Sequence, residues 1–192
     1  HRLIRRQRQT CIRDSGGYVP VIMKRYESCK LVSTPPTQDI SEILQNDYIK
    51  VGKSRGDEEV YSYKDVLSVR KRSINLPYRV SLNLGNDTNI VLFRAGHVIG
   101  SSMVYLKSKN EELLYTGDFC TQNTRALDMV DIELPKVKSL IIESTYGSPE
   151  DLHPSREKVE KSFIENIRRT YERGGKAIIP VFAVGRAQEV ML

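Results

Sequence analysis

The first part of the chain alternates short segments of helical and strand-like patterning. Residues 15–27, SGGYVPVIMKRYE, can begin a helix after the two glycines, and residues 30–33, KLVS, fit a short strand. In residues 34–52, TPPTQDISEILQNDYIKVG, the Pro-Pro pair blocks a helix before it, and Thr37 can cap a helix after it. Apolar residues there recur at helical spacing, and residues 61–72, YSYKDVLSVRKR, predict a second helix. The apolar positions in the two segments are Ile40, Ile43, Leu44 and Tyr48, then Val66, Leu67 and Val69.

After residue 73 the apolar pattern becomes strand-like. Residues 78–85, YRVSLNLG, alternate and end at a Gly85-Asn86-Asp87 turn, after which residues 89–96, NIVLFRAG, form the returning strand. SMVYLKS at 102–108 and ELLYTG at 112–117 predict the next strand pair. The middle of the chain is therefore expected to be a run of hairpins.

The last part of the chain reads as strand, helix and strand. KSLIIEST at 138–145 has the pattern of a buried strand, and residues 153–175 form an amphipathic helix with Ser155 as its N-cap and Gly174 as its stop. Its apolar positions recur every fourth residue. KAIIPVF at 176–182 predicts another buried strand, and AVGRAQEVML opens a further helix. The apolar helix positions are Val159, Phe163, Ile167 and Tyr171.

Three acidic or histidine side chains follow predicted strand ends. His97 lies between Gly96 and Gly100, which let the backbone turn tightly around it. Asp118 follows LLYTG, and Glu143 follows the apolar run SLII. Taken singly, each has a simpler explanation: a hydrogen-bonded loop histidine, a turn aspartate and a capping glutamate. If the strands lie side by side, the three groups converge on one edge of a sheet, where a metal or an acid/base pair can form.

Residues 174–189, GGKAIIPVFAVGRAQE, predict a strand, a tight turn at Gly185 and a helix. Such a turn can present backbone N–H groups to an anion, and Arg186 can bind a phosphate through two hydrogen bonds. The spacing of a Walker loop is absent. The alternative is an ordinary strand–helix turn with a surface arginine.

Composition narrows the class of partner. The chain has 192 residues and a formal net charge of +6, which fits either a polyanionic partner such as nucleic acid or a solvated basic surface. Five arginines fall within residues 1–14. Three cysteines occur without a CxxC pair, so a cysteine zinc site is disfavoured and a reduced, intracellular setting is expected. No apolar run is long enough to predict a membrane span.

Four runs together resemble the β-CASP branch of the metallo-β-lactamase superfamily, in particular the RNA-processing nucleases of the cleavage and polyadenylation specificity factor and Integrator types. They are TPPTQDISEILQNDY, AGHVIGSSMVYL with LLYTGDF, IIESTYG, and GGKAIIPVFAVGRAQEVML. They occur in family order and cover roughly residues 15–192.

The resemblance implies an α/β fold: a partial αββα metallo-β-lactamase sandwich over residues 15–142 and the start of a β-CASP domain over residues 143–192. It also implies a site for two zinc ions, with zinc-bound hydroxide attacking an RNA phosphodiester. By motif match, His97 is a zinc ligand, Asp118 bridges the zinc ions and Glu143 belongs to the acid/base pair. Gly185 and Arg186 match the GRAQE run on the RNA side.

The chain departs from the family at its N-terminus. The family's main zinc motif, HxHxDH, directly precedes the Ser-Gly-Gly at 15–17, where this chain has QTCIRD at 9–14. Only Asp14 and Cys11 could contact a metal there. The chain alone is therefore not expected to bind both zinc ions fully or to be active, since even a structural zinc requires four ligands. Three explanations are open: the chain is a fragment of a longer gene whose start is incorrect, it is a genuine degenerate paralogue, or residues 1–14 bind a metal by another route.

Two functions remain open. The first is a zinc-dependent RNA endonuclease, with or without 5′ exonuclease activity, that acts in mRNA 3′-end processing as a fragment of a longer protein. The second is a catalytically inactive RNA-binding or scaffold subunit. RNA, a second copy of the chain or a related β-CASP subunit are the expected partners, in the cytoplasm of a prokaryote or the nucleus of a eukaryote. A hydrolase of small esters is disfavoured by the ESTYG and GRAQE runs.

Overall fold

A computed structural model describes residues 16–192. The predictions for residues 1–14, including metal contacts by Cys11 and Asp14, lie outside the described residues. The chain divides into two compact units, with the boundary between Ile142 and Glu143. Each unit is described separately.

The first unit begins with three helices and two short strands. The elements are α1 (Val19–Arg25), β1 (Leu31–Ser33), α2 (Pro35–Arg55), α3 (Tyr63–Lys71) and β2 (Ser73–Asn75). β1 and β2 pair in parallel as a two-stranded sheet. This confirms the predicted strand at residues 30–33 and the predicted helices near residues 15–27, 37–52 and 61–72.

The start of α2 differs from its prediction. Thr34 is the N-cap residue, and Pro35 and Pro36 form the first turn of the helix. Proline fits there because the first N–H groups of a helix have no partner within it. The prediction that the prolines precede the helix and that Thr37 caps it is therefore wrong. Thr37 lies inside the first turn, and its hydroxyl donates to Gly100.

The buried face of α2 is also not its most apolar one. Gln38, Gln45 and Ile49 are its buried residues, whereas the Ile43 side chain is 67% exposed. Ile49 packs with Tyr61 and Val66 in a cluster that joins α2, α3 and the segment between them. The helical period was thus correctly predicted, but only part of its apolar set contacts the core.

The second sheet of the first unit has five strands in the order β3-β4-β5-β6-β7. The first four are antiparallel neighbours, and β7 runs parallel to β6. The predicted turn between β3 and β4 is confirmed. It consists of Gly85, the last residue of β3, with Asn86 and Asp87, and their φ values are 89°, 51° and 57°. The strands are β3 (Ser81–Gly85), β4 (Thr88–Arg94), β5 (Ser102–Ser108), β6 (Glu111–Tyr115) and β7 (Ser139–Ile141).

Both faces of this sheet carry apolar clusters, because successive residues of a strand point to opposite sides. On one side, Leu92 packs with Leu76 and Ile90, and Val32 of β1 joins them. On the other side, Met103 packs with residues that include Ala95, Leu114 and Val130. The fold is therefore mixed α/β, as expected, and the partial αββα metallo-β-lactamase sandwich stays a prediction.

The strand β7 is less buried than its sequence predicts. Leu140 and Ile141 are 53% and 51% exposed. β7 is the last strand of the sheet and has β6 as its neighbour within the described chain. An apolar run predicts a strand, but the neighbours that would bury it are decided by the tertiary structure.

The second unit contains α4 (Arg156–Glu172) and α5 (Arg186–Met191). The Ser155 side chain accepts from the N–H of Lys158, and Gly174 follows α4 with φ 67°, so both predicted helix ends are confirmed. Residues 176–182 form no strand, and Ile178 is 92% exposed. That prediction is wrong for this structure because a strand requires a neighbour to pair with its backbone.

Within residues 16–192, every helix is too short or too polar to be a candidate for crossing a lipid bilayer.

Candidate functional site

The sheet topology brings His97 and Asp118 to the same edge. β4 and β6 are both antiparallel to β5, which lies between them, so β4 and β6 run in the same direction. His97 follows β4 and Asp118 follows β6, each three residues after the strand ends. β7 is parallel to β6 and ends on that edge as well. The predicted grouping of strand ends is therefore present in the first unit.

The His97 and Asp118 side chains lie close together in solvent-accessible positions. His97 Nε2 is 3.8 Å from Asp118 Oδ2, and the side chains are 49% and 67% exposed. Two ligand atoms bound to one tetrahedral zinc lie about 3.3 Å apart, given bonds of about 2.0–2.1 Å. A small side-chain adjustment would let these two atoms bind one cation.

Ser101 organises the loop that carries His97. Its Oγ accepts hydrogen bonds from the N–H of His97, at 3.1 Å, and from the N–H of Val98, at 3.2 Å. Its carbonyl accepts from the Tyr78 hydroxyl at 2.9 Å and from the Ala95 N–H at 3.2 Å. The loop is thus closed on itself around one serine, so His97 stands on a fixed backbone.

The two glycines that flank His97 allow other segments to approach the loop closely. Gly96 and Gly100 have φ values of +71° and +82°, which confirms the predicted tight turn. A Cβ at Gly96 would lie 2.7 Å from the Val130 nitrogen, and one at Gly100 would lie 2.7 Å from the Thr37 nitrogen. Each glycine therefore serves as a contact surface: Gly96 for residues 128–130, Gly100 for the start of α2.

Thr34 and Thr37 hold Gly100 from the helix side. Both hydroxyls lie 2.8 Å from the Gly100 carbonyl oxygen and 2.8 Å from each other. The sequence does not indicate that either residue belongs to the site, because TPPT is an ordinary pattern for a helix start. Only the fold brings this turn to the His97 loop.

Asp131 anchors the opposite side of the loop. Its carboxylate accepts from the Arg94 N–H at 2.8 Å and from the Arg79 guanidinium at 2.8 Å. Burial raises the pKa of this carboxyl, but these hydrogen bonds outweigh burial and hold the pKa below its usual value. Cys120 and Val130 extend the attachment: Cys120 N–H donates to the Ala95 carbonyl, and Val130 N–H to the Cys120 carbonyl.

A cavity of about 320 Å³ lies beside the same loop. Its wall includes Pro36 at the start of α2, together with Arg94, Arg125 and Asp128. The Arg94 guanidinium donates to the Asp128 carboxylate at 2.7 Å, which offsets its charge. The cavity is therefore a mixed apolar and polar cleft rather than a concentrated basic site.

The described residues supply only part of a zinc site. Within residues 16–192 no group of three or more histidine, cysteine, aspartate or glutamate side chains is placed to hold a metal ion. His97 and Asp118 provide two donors, whereas a protein zinc site uses three or four. The donor set of this part of the chain therefore does not fit a complete mono- or dizinc centre.

Glu143 belongs to the second unit, at the start of a turn. Its Oε2 accepts a hydrogen bond from the N–H of Thr145 at 3.3 Å. This contact is the turn-capping interaction that the sequence allows as an alternative. Its role as a catalytic acid or base stays a prediction.

Gly185 and Arg186 lie at the start of α5. Gly185 has φ +87°, and its N–H donates to Gln188 Oε1 at 2.7 Å. Gln188 Nε2 in turn donates to the Ala183 carbonyl at 3.1 Å. An anion at this turn would have to replace the Gln188 side chain at the Gly185 N–H. Arg186 opens the helix, and contact between Arg186 and RNA stays a prediction.

No protein-family model matches the chain. The curated proteins that match the chain include several named as archaeal transcription termination factors. The proteins named Transcription termination factor FttA from Pyrococcus horikoshii and Pyrococcus abyssi are 40% and 39% identical to the chain over 183 residues. The Methanocaldococcus jannaschii protein of that name is 37% identical over 181 residues. Each match covers 93% of this chain and 28% of the relative, so the chain spans little more than a quarter of their length.

Proposed function

We propose that this chain is part of an RNA-acting transcription termination or 3′-end processing factor of the β-CASP metallo-β-lactamase type. The observation that carries the proposal is the 3.8 Å approach of His97 to Asp118 on one sheet edge. The names of the homologues support a role in termination. The four family-like runs support the β-CASP assignment and, with it, zinc-dependent RNA hydrolysis.

In this proposal His97 and Asp118 are two ligands of a larger donor set. Both side chains are solvent-accessible, and the Ser101 hydroxyl holds the backbone of the His97 loop in place. The other ligands would come from outside residues 16–192, because the described part contains no third donor at the pair. RNA cleavage would accordingly require the complete protein, and RNA is the expected partner.

The second candidate is a non-catalytic subunit that binds RNA or supports a partner. The incomplete donor set is the observation that favours it. This alternative requires neither zinc nor Glu143, and it retains the basic side chains, including Arg186. Metal content and cleavage distinguish the two candidates.

The first experiment measures zinc in the purified 192-residue chain by elemental analysis. We expect clearly less than one tightly bound zinc per chain, and no difference between the wild type and His97→Ala. Stoichiometric binding of two zinc ions would contradict the incomplete site.

The second experiment places residues 16–192 in the corresponding segment of the Pyrococcus horikoshii relative. The nuclease proposal predicts that this chimera cleaves RNA as its parent does and that His97→Ala removes cleavage, while His153→Ala serves as the matched control. A chimera that binds RNA but does not cleave it supports the scaffold alternative. A parent protein without cleavage activity contradicts the nuclease proposal for both.

A further inference from the structure

We infer that Thr34 and Thr37 are positioning residues for His97. They act through the Gly100 carbonyl and set where the His97 loop stands at the sheet edge. The inference rests on the proposed function only in taking His97 as a functional residue. The structural relationship itself requires neither metal nor RNA.

The contact is short, buried and formed by two donors. The Thr34 and Thr37 hydroxyls are each 2.8 Å from the Gly100 carbonyl oxygen. Thr34 is 2% exposed, and Gly100 is also buried. A buried carbonyl that loses its donors is costly, so the loop has one strongly preferred position against α2.

The steric fit reinforces the hydrogen bonds. The space where a Gly100 side chain would begin is filled by Thr37 N and Oγ1, both at 2.7 Å, and by Thr34 Oγ1 at 2.9 Å. The loop backbone therefore lies directly against the first turn of α2. A change in either hydroxyl cannot be absorbed by a gap at this point.

Hydrogen bonds connect this contact to His97. Ser101 follows Gly100 directly, and its Oγ accepts from the N–H of His97. The Ser101 N–H donates to the Val98 carbonyl at 2.9 Å, which closes the turn between them. A displacement of Gly100 therefore moves the backbone of His97, and it changes the distance between the His97 imidazole and Asp118.

The test uses the ring proton signals of the histidines, observed in the full 192-residue chain by carbon-edited NMR. The chain contains three histidines, His1, His97 and His153, so the His97 signal can be assigned with His97→Ala. We expect the Thr34→Val/Thr37→Val double variant to shift or broaden the His97 signal and to leave the His153 signal unchanged. The Thr34→Ser/Thr37→Ser variant keeps both hydroxyls and should restore the wild-type signal.

Thr88→Val is the matched control. The Thr88 hydroxyl is 2.9 Å from the Ser108 hydroxyl, where β4 begins and β5 ends, away from the edge that carries His97. Thr88→Val should leave the His97 signal in place. The inference is overturned if the double valine variant, with its other resonances native, moves His97 no more than the control does. If that variant fails to fold, the single Thr34→Val and Thr37→Val variants take its place under the same criterion.

The readout is taken without metal or RNA, so its failure is distinguishable from failure of the proposed function. If the double valine variant shifts the His97 signal but His97→Ala does not affect RNA cleavage, the positioning role is retained and the nuclease proposal is rejected. If the His97 signal does not shift but His97→Ala removes cleavage, the nuclease proposal is retained and the positioning role is rejected.

Discussion

His97 Nε2 lies 3.8 Å from Asp118 Oδ2, although the entire β5–β6 hairpin separates the two residues along the chain. The hairpin itself produces this approach, because it returns the chain to the edge at which β4 ended. The contacts that hold the His97 loop are then as important as the pair itself. Two predictions concern these contacts, at Gly100 and Asp131, and two concern Arg156 and Arg186 of the second unit.

Replacing Gly100 by alanine should destabilise the first unit more than the same change at Gly85. Both glycines have positive φ, +82° and +89°, so alanine is strained at either position, by about 1–2 kcal/mol. At Gly100 the new Cβ also meets Thr37 backbone at 2.7 Å, whereas at Gly85 nothing lies within 4 Å. Urea unfolding followed by circular dichroism measures the difference. Equal losses of stability would contradict the close packing of the loop on α2.

Asp131 should make the first unit sensitive to acid. Its pKa in the folded state lies below the ordinary 3.8, so its contribution is fully present above the unfolded-state pKa and is lost as the pH falls through the folded-state pKa. Asp131→Asn should lower stability at neutral pH by about 1–3 kcal/mol, because the Arg79 and Arg94 donors lose their charged acceptor.

The measurement is the midpoint of thermal unfolding from pH 7 down to pH 3. The stability difference between wild type and Asp131→Asn should shrink at the acid end. Asp128→Asn is the control, because that carboxylate is 77% exposed in its pair with Arg94. A constant difference across the range would show that the carboxylate charge does not act as described.

Arg156 should hold α5 to α4 in the second unit. Its guanidinium contacts the Glu189 carboxylate of α5 and donates to Glu160 Oε1 at 2.7 Å within α4. Arg156→Ala should raise amide hydrogen exchange in residues 186–191, because the ion pair that joins Arg156 to Glu189 is removed. Arg168→Ala, on an exposed position of α4, is the control. Unchanged exchange in α5 would argue against the role of this ion pair.

Arg186 should contact RNA phosphate if the proposed function holds. Arg186→Ala should weaken binding of single-stranded RNA and reduce the slope of log affinity against log salt by about 0.7–1. Fluorescence anisotropy at several salt concentrations measures the slope. Arg173→Ala removes the same charge from an exposed position near the end of α4. Identical effects of the two substitutions on RNA binding would show that Arg186 contributes only as a general surface charge.

The sequence predicted turns and helix caps correctly where the interacting residues are only a few positions apart. The turn at Gly85-Asn86-Asp87 and the Ser155 cap depend on backbone conformation within a few residues, and both are confirmed. Predictions failed where a distant partner decides the outcome. Thr37 was expected to cap α2, but its hydroxyl donates a hydrogen bond to the carbonyl of Gly100, which lies 63 residues away in the sequence. Residues 176–182 were expected to form a strand, and no described strand pairs with them.

The sequence by itself determined the helices and hairpins of the first unit and the strand ends at which His97 and Asp118 lie. Periodicity, turn residues and glycine positions are local properties, so the amino-acid sequence alone indicates where these elements begin and end. Only the tertiary structure decided that these two side chains meet, that Gly96 and Gly100 are approached by other segments, and that Thr34 and Thr37 fasten the loop. Those contacts depend on strand register and close packing between distant segments, which a local pattern does not encode.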